Sequence, residues 1–87
     1  MSENDRFGSS LVRNILAALH HAIKEEDTVS GKNWLKNEVP NYWNQRNTIV
    51  EILDYISTLG HIENMPHWEQ EANYAKMLKE RIKDDSI

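Results

Sequence analysis

Apolar residues recur at helical spacing in three separate stretches of the chain, and this periodicity constrains the fold more than any other sequence feature. A repeat near 3.6 residues places such side chains on one face of a helix. The clearest stripe comprises Ile49, Ile52, Leu53, Ile56 and Leu59, with Val50 beside it. Because no stretch shows sustained period-two alternation, the sequence predicts an all-α fold.

Two further stripes flank this one. The first comprises Leu11, Ile15, Leu16, Leu19, Ala22 and Ile23, and the last comprises Trp68, Ala72, Ala75, Leu78 and Ile82. A short helix that carries Trp34 and Leu35 bridges them. The pattern predicts a compact four-helix domain, with three long helices and one short helix joined by short connections.

Capping residues and helix breakers suggest boundaries for these helices. We predict helices over about 10–26, 32–38, 41–59 and 65–83, between tails at residues 1–9 and 84–87. Asp27 or Ser30 caps the second helix. Pro40 separates the second helix from the third, because proline disfavours a helical residue before it. Asn41 is the favoured cap of the third helix, although a start as late as Thr48 fits the same residues.

Asn64 and Pro66 open the fourth helix, since asparagine suits the cap and proline the first turn. The three glycines of the chain, Gly8, Gly31 and Gly60, are all placed at helix boundaries. Glycine is common just after a helix, where a left-handed residue is wanted.

Length and composition exclude several classes of protein. The 87 residues suffice for one domain with a modest core, and the chain has no cysteine, which excludes disulfides and thiolate chemistry. No apolar run approaches the roughly 18 residues that a membrane span requires. The N-terminus lacks the apolar region of a signal peptide. A cytoplasmic protein is the simplest prediction.

Charge is distributed unevenly along the chain. The net charge is −4, which argues against nucleic-acid binding through bulk electrostatics. Residues 28–50 nevertheless carry three basic side chains and one acidic one, a net charge of +2, whereas the rest carries seven basic and thirteen acidic ones. This window is therefore the least acidic part of the molecule.

Neither a metal centre nor a catalytic site is predicted. Of the four histidines, His21 has a possible partner in Glu25 on one helical face, and His61 and His67 lie near Glu63, but neither spacing matches a zinc signature. The serines lack a nucleophile-elbow motif, and the glycines do not form a phosphate loop. We therefore expect no enzyme activity and no cofactor.

The aromatic residues at the entrance to the third helix are the strongest candidates for a binding surface. One hypothesis is a docking patch for another protein, because tryptophan and arginine are favoured anchors of interfaces. Its residues are Trp43, Arg46, His67 and Trp68. A structural interpretation is that Trp34, Trp43 and Trp68 simply fill the open end of the bundle.

An alternative is a weak DNA-binding module of the helix-turn-helix type. Asn, Gln and Arg side chains read base edges in pairs of hydrogen bonds, and they stand here at the start of a possible recognition helix. The residues would be Asn44, Gln45, Arg46 and Asn47, with Lys32 and Lys36 on phosphate. The patch could instead serve a homodimer of this chain.

Two segments resemble a known group of proteins. They are Glu38–Ile49, EVPNYWNQRNTI, and Ile62–Trp68, IENMPHW, which leads into a helix with Ala72 and Ala75. They resemble the helical C-terminal region of large bacterial and cyanobacterial proteins described as DNA methylases, a region often labelled a domain of unknown function. The likeness extends over roughly residues 11–87.

The resemblance implies a non-catalytic helical module of a DNA-modification protein, with a methylase or restriction-type subunit as its partner. It does not imply methyl transfer. The segment VPNYW echoes an amino-methyltransferase motif, but it lacks the leading acid or amide and the second proline. The methyl-donor fold also needs a parallel sheet, which this chain does not supply.

Overall fold

The computed structural model describes residues 10–59 and 69–85. Four helices lie within these ranges, and no strand occurs there. They are α1, Ser10–Glu25; α2, Thr28–Glu38; α3, Arg46–Leu59; and α4, Glu69–Lys83. The predicted all-α fold with four helices is confirmed. No helix in the described ranges has both the length and the apolar character to cross a membrane.

The core is built from the predicted stripes. α3 packs chiefly on α4 and α1 chiefly on α2, and α4 also contacts α1 and α2. The fully buried large side chains are Ile15, Leu19, Leu35, Ile49, Leu53, Leu78 and Ile82. Every helix contributes at least one of them, so burial of one shared apolar core holds the four helices together.

α2 begins four residues earlier than the prediction of 32–38. Asp27 is its cap, and its side chain accepts a hydrogen bond from the amide of Val29 at 2.9 Å. Gly31 therefore lies inside the helix, not at a boundary. A side chain at this position would stand 3.0 Å from the carbonyl oxygen of Ala18, so glycine permits the close approach of α1 and α2.

The end of α1 explains why α2 begins so soon. Glu26 has a left-handed backbone conformation with φ of 53°. The amide of Asp27 donates to the carbonyl of Ala22 and that of Glu26 to the carbonyl of Ile23. This pattern is a Schellman motif, which ends α1 and places Asp27 to cap the next helix.

α3 begins later than the preferred prediction of Asn41. Residues 40–45 form turns, and the regular helical pattern begins when the carbonyl of Gln45 accepts from the amide of Ile49 at 2.9 Å. The observed start at Arg46 lies within the range of Asn41 to Thr48 that the residues allowed.

α4 begins at Glu69 within the described ranges and ends at Lys83, as predicted. The predicted opening of this helix at residues 64–66 lies outside the described residues, as do Gly60 and the tail at 1–9. The predicted tail at 84–87 is wrong at Asp85, because that residue is buried against α2 and the turn before α3.

Candidate functional site

The turn between α2 and α3 has a defined hydrogen-bond pattern. The amide of Tyr42 donates to the carbonyl of Val39 at 3.0 Å, and that of Gln45 donates to the carbonyl of Asn41 at 2.9 Å. The amide of Arg46 donates to the carbonyl of Trp43 at 3.4 Å. The turn is therefore tightly wound, and Tyr42 faces the core whereas Asn41, Trp43 and Asn44 are exposed.

Val39 and Tyr42 anchor this turn to the core. Both are buried and belong to the same apolar cluster as Leu35 and Ile49, which stand on either side of the turn. The ring of Tyr42 brings a hydroxyl group into the protein, and a buried hydroxyl needs a hydrogen-bond partner.

Asp85, which follows the end of α4, supplies that partner. The Tyr42 hydroxyl donates to Oδ2 of Asp85 at 3.0 Å. Nζ of Lys32 lies 3.4 Å from Oδ1, and Nζ of Lys36 lies 3.4 Å from Oδ2. Arg46 donates from Nη1 to the backbone carbonyl of Asp85. We call these five residues the Asp85 cluster; they join α2, the turn, α3 and the end of α4.

The ionisation of the cluster follows from these contacts. Burial alone would raise the pKa of Asp85, but the Tyr42 hydrogen bond and the charges of Lys32 and Lys36 outweigh it and hold the pKa below its usual value. The pKa of Tyr42 is raised, first by burial and then by its hydrogen bond to the Asp85 carboxylate and by the charge of that group. The cluster therefore favours an ionised Asp85 and a neutral Tyr42.

Trp43 lies on the opposite, solvent side of the turn. It is 42% exposed, which is unusual for so large an apolar side chain. The guanidinium carbon of Arg46 lies 3.8 Å from the centre of the Trp43 ring, in a cation–π stack. We call Trp43, Arg46 and the exposed Asn44 and Asn47 the aromatic corner.

The two contacts between a basic side chain and an aromatic ring differ in distance. Nζ of Lys36 lies 6.0 Å from the ring centre of Tyr42, at the outer limit of a cation–π contact. Arg46 lies much closer to Trp43, and its planar group covers the ring. The Arg46 guanidinium therefore contacts one side chain, the Trp43 ring, and one backbone group, the Asp85 carbonyl.

The predicted docking residues fall into two groups. Trp43 and Arg46 come together in the aromatic corner, whereas His67 and Trp68 lie outside the described residues. Trp34 is half-buried and packs against the core, which agrees with the interpretation that it fills the end of the bundle. That interpretation does not describe Trp43, since its ring is exposed.

The residues predicted to contact DNA have mixed surroundings. Lys32 and Lys36, assigned to phosphate, converge on Asp85. Asn44 and Asn47 are exposed, whereas Gln45 is half-buried in the turn. Arg46 lies between Trp43 and the Asp85 carbonyl.

Sequence reasoning missed Asp85 altogether and missed the structural role of Tyr42. The Asp85 contacts span 39 to 53 residues of sequence. No local pattern signals such a pairing. The surplus of basic residues in the 28–50 window was the available signal, because three converging cations require a nearby carboxylate if they are partly buried.

Within residues 10–59 and 69–85, no three His, Asp or Glu side chains come together in a way that suits a metal ion. His61, Glu63 and His67 lie outside those ranges. Asp54 is exposed and pairs with Lys79 on α4, with Nζ 2.8 Å from Oδ1.

An open cleft of about 670 Å³ lies beside the Asp85 cluster, between α2 and α4. Its charged lining comprises Lys32, Lys76 and Arg81 against Glu80, Asp84 and Asp85. Three cations face three carboxylates, so the cleft has no surplus of charge with which to select a charged ligand. Arg81 is further engaged by Thr28, whose hydroxyl accepts from Nε at 3.0 Å.

Comparison of the chain with protein-family models, with curated proteins and with solved structures finds no match. The resemblance to DNA methylases therefore stays a prediction from the sequence.

Proposed function

We propose that this chain is a non-enzymatic helical interaction module that binds a protein partner at the aromatic corner. The observation that carries the proposal is the exposed Trp43 ring with the Arg46 guanidinium stacked 3.8 Å from its centre. Tryptophan and arginine are the residues most enriched among the energetic anchors of protein interfaces.

The surroundings of Trp43 favour binding over a purely structural role. The backbone of the turn is hydrogen bonded, and Tyr42 and Val39 anchor it in the core. A partner therefore meets a side chain that is already held in place, so less conformational entropy is lost on binding. A suitable partner offers an apolar pocket for the indole ring and an acidic or carbonyl group for the remaining donors of Arg46.

The partner and the location are proposed from the sequence. The resemblance of two segments to methylase C-terminal regions favours a methylase or restriction-type subunit as partner. A cytoplasmic location is included as a prediction from the sequence alone.

The test begins with a photo-crosslinking residue at Asn44, which is exposed beside Trp43. A second crosslinker at Glu51, on an exposed part of α3, is the matched control. A protein captured from Asn44 but not from Glu51 is then purified, and its affinity is measured by calorimetry for wild type and variants.

We expect Trp43→Ala to weaken binding by about 30-fold or more, the scale of an interface anchor. Tyr55→Ala is the control, since Tyr55 is the other highly exposed aromatic among the described residues, at 66%. It should change affinity less than about threefold, as most surface positions do. Equal effects of the two variants would contradict docking at the aromatic corner.

DNA binding remains the second prediction, because Asn44, Asn47 and Arg46 are grouped at the start of α3. Its test is a comparison of amide NMR shifts with and without a short duplex, at low and physiological salt. Phosphate contacts should weaken steeply with salt. Salt-sensitive shifts confined to residues 32–48 would support DNA binding over protein docking.

A homodimer is the third prediction for the same surface. Sedimentation over a wide concentration range would detect it as a rise in mass. Trp43→Ala should abolish that rise if the aromatic corner is the contact.

A further inference from the structure

We infer that Asp85 is a positioning residue for the aromatic corner: its carboxylate holds the 39–45 turn and so keeps Arg46 stacked on Trp43. Of the residues that Asp85 contacts, only Arg46 belongs to the aromatic corner, and that contact is made by the backbone carbonyl of Asp85. Asp85 would act entirely through Tyr42, Lys32, Lys36 and Arg46.

Residues of α2, of the turn and of α3 all contact Asp85. The carboxylate contacts two lysines one helical turn apart on α2 and the hydroxyl of Tyr42 in the turn. The carbonyl of the same residue accepts from Arg46 at the start of α3. Asp85 therefore ties both ends of the turn to the end of α4.

The side chain of Asp85 is only 6% exposed. Loss of its charge would leave the buried Tyr42 hydroxyl and the partly buried Lys32 without their anionic partner. The carboxylate is therefore required for the cluster to keep its arrangement.

The turn and Arg46 join the Asp85 cluster to the exposed surface. Tyr42 and Trp43 are neighbours in sequence, so the side chain that Asp85 holds inward sets the direction of the ring that faces outward. Arg46 is held by the Asp85 carbonyl on one side and the Trp43 ring on the other. Release of Asp85 would free both Arg46 and the turn.

The consequence for binding rests on the proposed function, but the inference itself concerns the free protein. A partner that docks on Trp43 would lose affinity in a variant that contains every contacting side chain. The reason is that the turn would have to be ordered during binding.

The experiment compares Asp85→Asn with Asp84→Asn in the full chain without a partner. The two substitutions remove the same charge at adjacent positions, but Asp84 is exposed. The first readout is hydrogen exchange at the amides of Tyr42, Gln45 and Arg46, measured against the amide of Leu19 in α1. The second is the chemical shift of the Arg46 Nε proton, which the ring current of Trp43 displaces.

For Asp85→Asn we expect exchange at the three turn amides to rise about tenfold or more beyond any change at Leu19, as in local opening. The Arg46 proton should also lose its ring-current displacement, as it does in Trp43→Ala. Asp84→Asn should change neither. Identical behaviour of the two Asn variants would overturn the inference.

Tyr42→Phe decides the matter if Asp85→Asn does not fold by circular dichroism. It removes one hydrogen bond of the cluster and leaves the ring in the core. It should raise exchange at Gln45 and shift the Arg46 proton part of the way toward its value in Trp43→Ala. No change in either readout would overturn the inference.

The failure of each proposal is distinguishable. If Asp85→Asn loosens the turn but Trp43→Ala leaves partner affinity intact, the positioning role stands and docking at the aromatic corner fails. If the turn is unaffected while Trp43→Ala abolishes binding, docking stands and the positioning role fails.

Discussion

Among residues 10–59 and 69–85, two carboxylates form ion pairs between distant parts of the chain, and they differ in burial and in the number of their partners. Asp54 on α3 meets Lys79 on α4 at 2.8 Å, with its side chain 60% exposed. Asp85 meets Lys32 and Lys36 at the longer distance of 3.4 Å, but it is buried and also accepts from Tyr42. Distance alone would rank Asp54 as the stronger pair.

Burial and the number of partners reverse that ranking. An exposed ion pair gains little, because water and salt screen the charges and two long side chains lose freedom. When a buried carboxylate loses its charge, the groups around it lose their anionic partner. The free-energy cost of that loss is greater than at the surface, because water cannot replace the partner. We therefore expect the longer contacts of Asp85 to matter more to the fold than the shorter one of Asp54.

The largest expected effect is that of Asp85→Asn on stability. The substitution keeps the shape of the side chain but removes the negative charge that Lys32, Lys36 and Tyr42 all contact. We expect the free energy of unfolding to fall by about 2 kcal/mol, the scale of hydrogen bonds to a charged group. Urea denaturation followed by circular dichroism would measure it, and an unchanged midpoint would contradict the assigned role.

Acid pH should erase that difference. The pKa of Asp85 is lowered in the folded protein, since the Tyr42 hydrogen bond and the two lysines outweigh burial. The stabilisation is therefore complete above the unfolded-state pKa of about 3.9 and is lost as the pH falls through the lower folded value.

Urea denaturation of wild type and Asp85→Asn at a series of pH values would measure this loss. The two stability curves should differ at neutral pH, begin to approach each other below about pH 4 and meet only below the folded-state pKa of Asp85. A constant difference down to the lowest pH would show that charge is not the source of the effect.

Features that depend on neighbouring residues were predicted from the sequence, whereas contacts between distant residues were not. The apolar stripes of α1, α3 and α4 predicted the fold because helical burial repeats locally, every three or four residues. The exposed Trp43 and its neighbour Arg46 were identified as candidates from residue type alone. Their stacking follows from a spacing of three residues, which brings side chains together on a helical turn.

Asp85 could not be predicted in this way. It follows a run of charged residues, and its neighbour Asp84 is also an aspartate but is exposed. Only the packing of α4 against α2 decides which of the two carboxylates enters the cluster. Similarly, the interior position of Gly31 depends on the distance between α1 and α2, which no local pattern contains.

Tyr42→Phe removes one partner of the buried Asp85 carboxylate while the two lysines remain. We expect a loss of about 1.5 kcal/mol, the lower end of the range for a hydrogen bond to a charged group, since the ring still fills its place in the core. Denaturation of both proteins at neutral pH would measure it. A loss as large as that of Asp85→Asn would instead place most of the effect in the Tyr42 contact.

Alkaline pH tests the same contact from the other side. The pKa of Tyr42 is raised in the folded protein, first by burial and then by the Asp85 carboxylate. Its contribution to stability is complete below the unfolded-state pKa of about 10 and is lost as the pH rises through the higher folded value. An ultraviolet titration of tyrosinate should show a late-ionising group in wild type that Tyr42→Phe removes.

The smallest expected effect is that of Asp54→Asn, which is the matched counterpart of Asp85→Asn. Lys79 holds the pKa of Asp54 below its usual value through a hydrogen bond and its charge. Because the carboxylate is exposed, water replaces this partner readily, and the substitution should leave the midpoint of urea denaturation unchanged within error. Any small difference at low salt should disappear at high salt, since screening acts on exposed pairs first. If Asp54→Asn were as destabilising as Asp85→Asn and insensitive to salt, the close approach of the charges would govern both bridges. Burial would then not explain why Asp85 organises the turn.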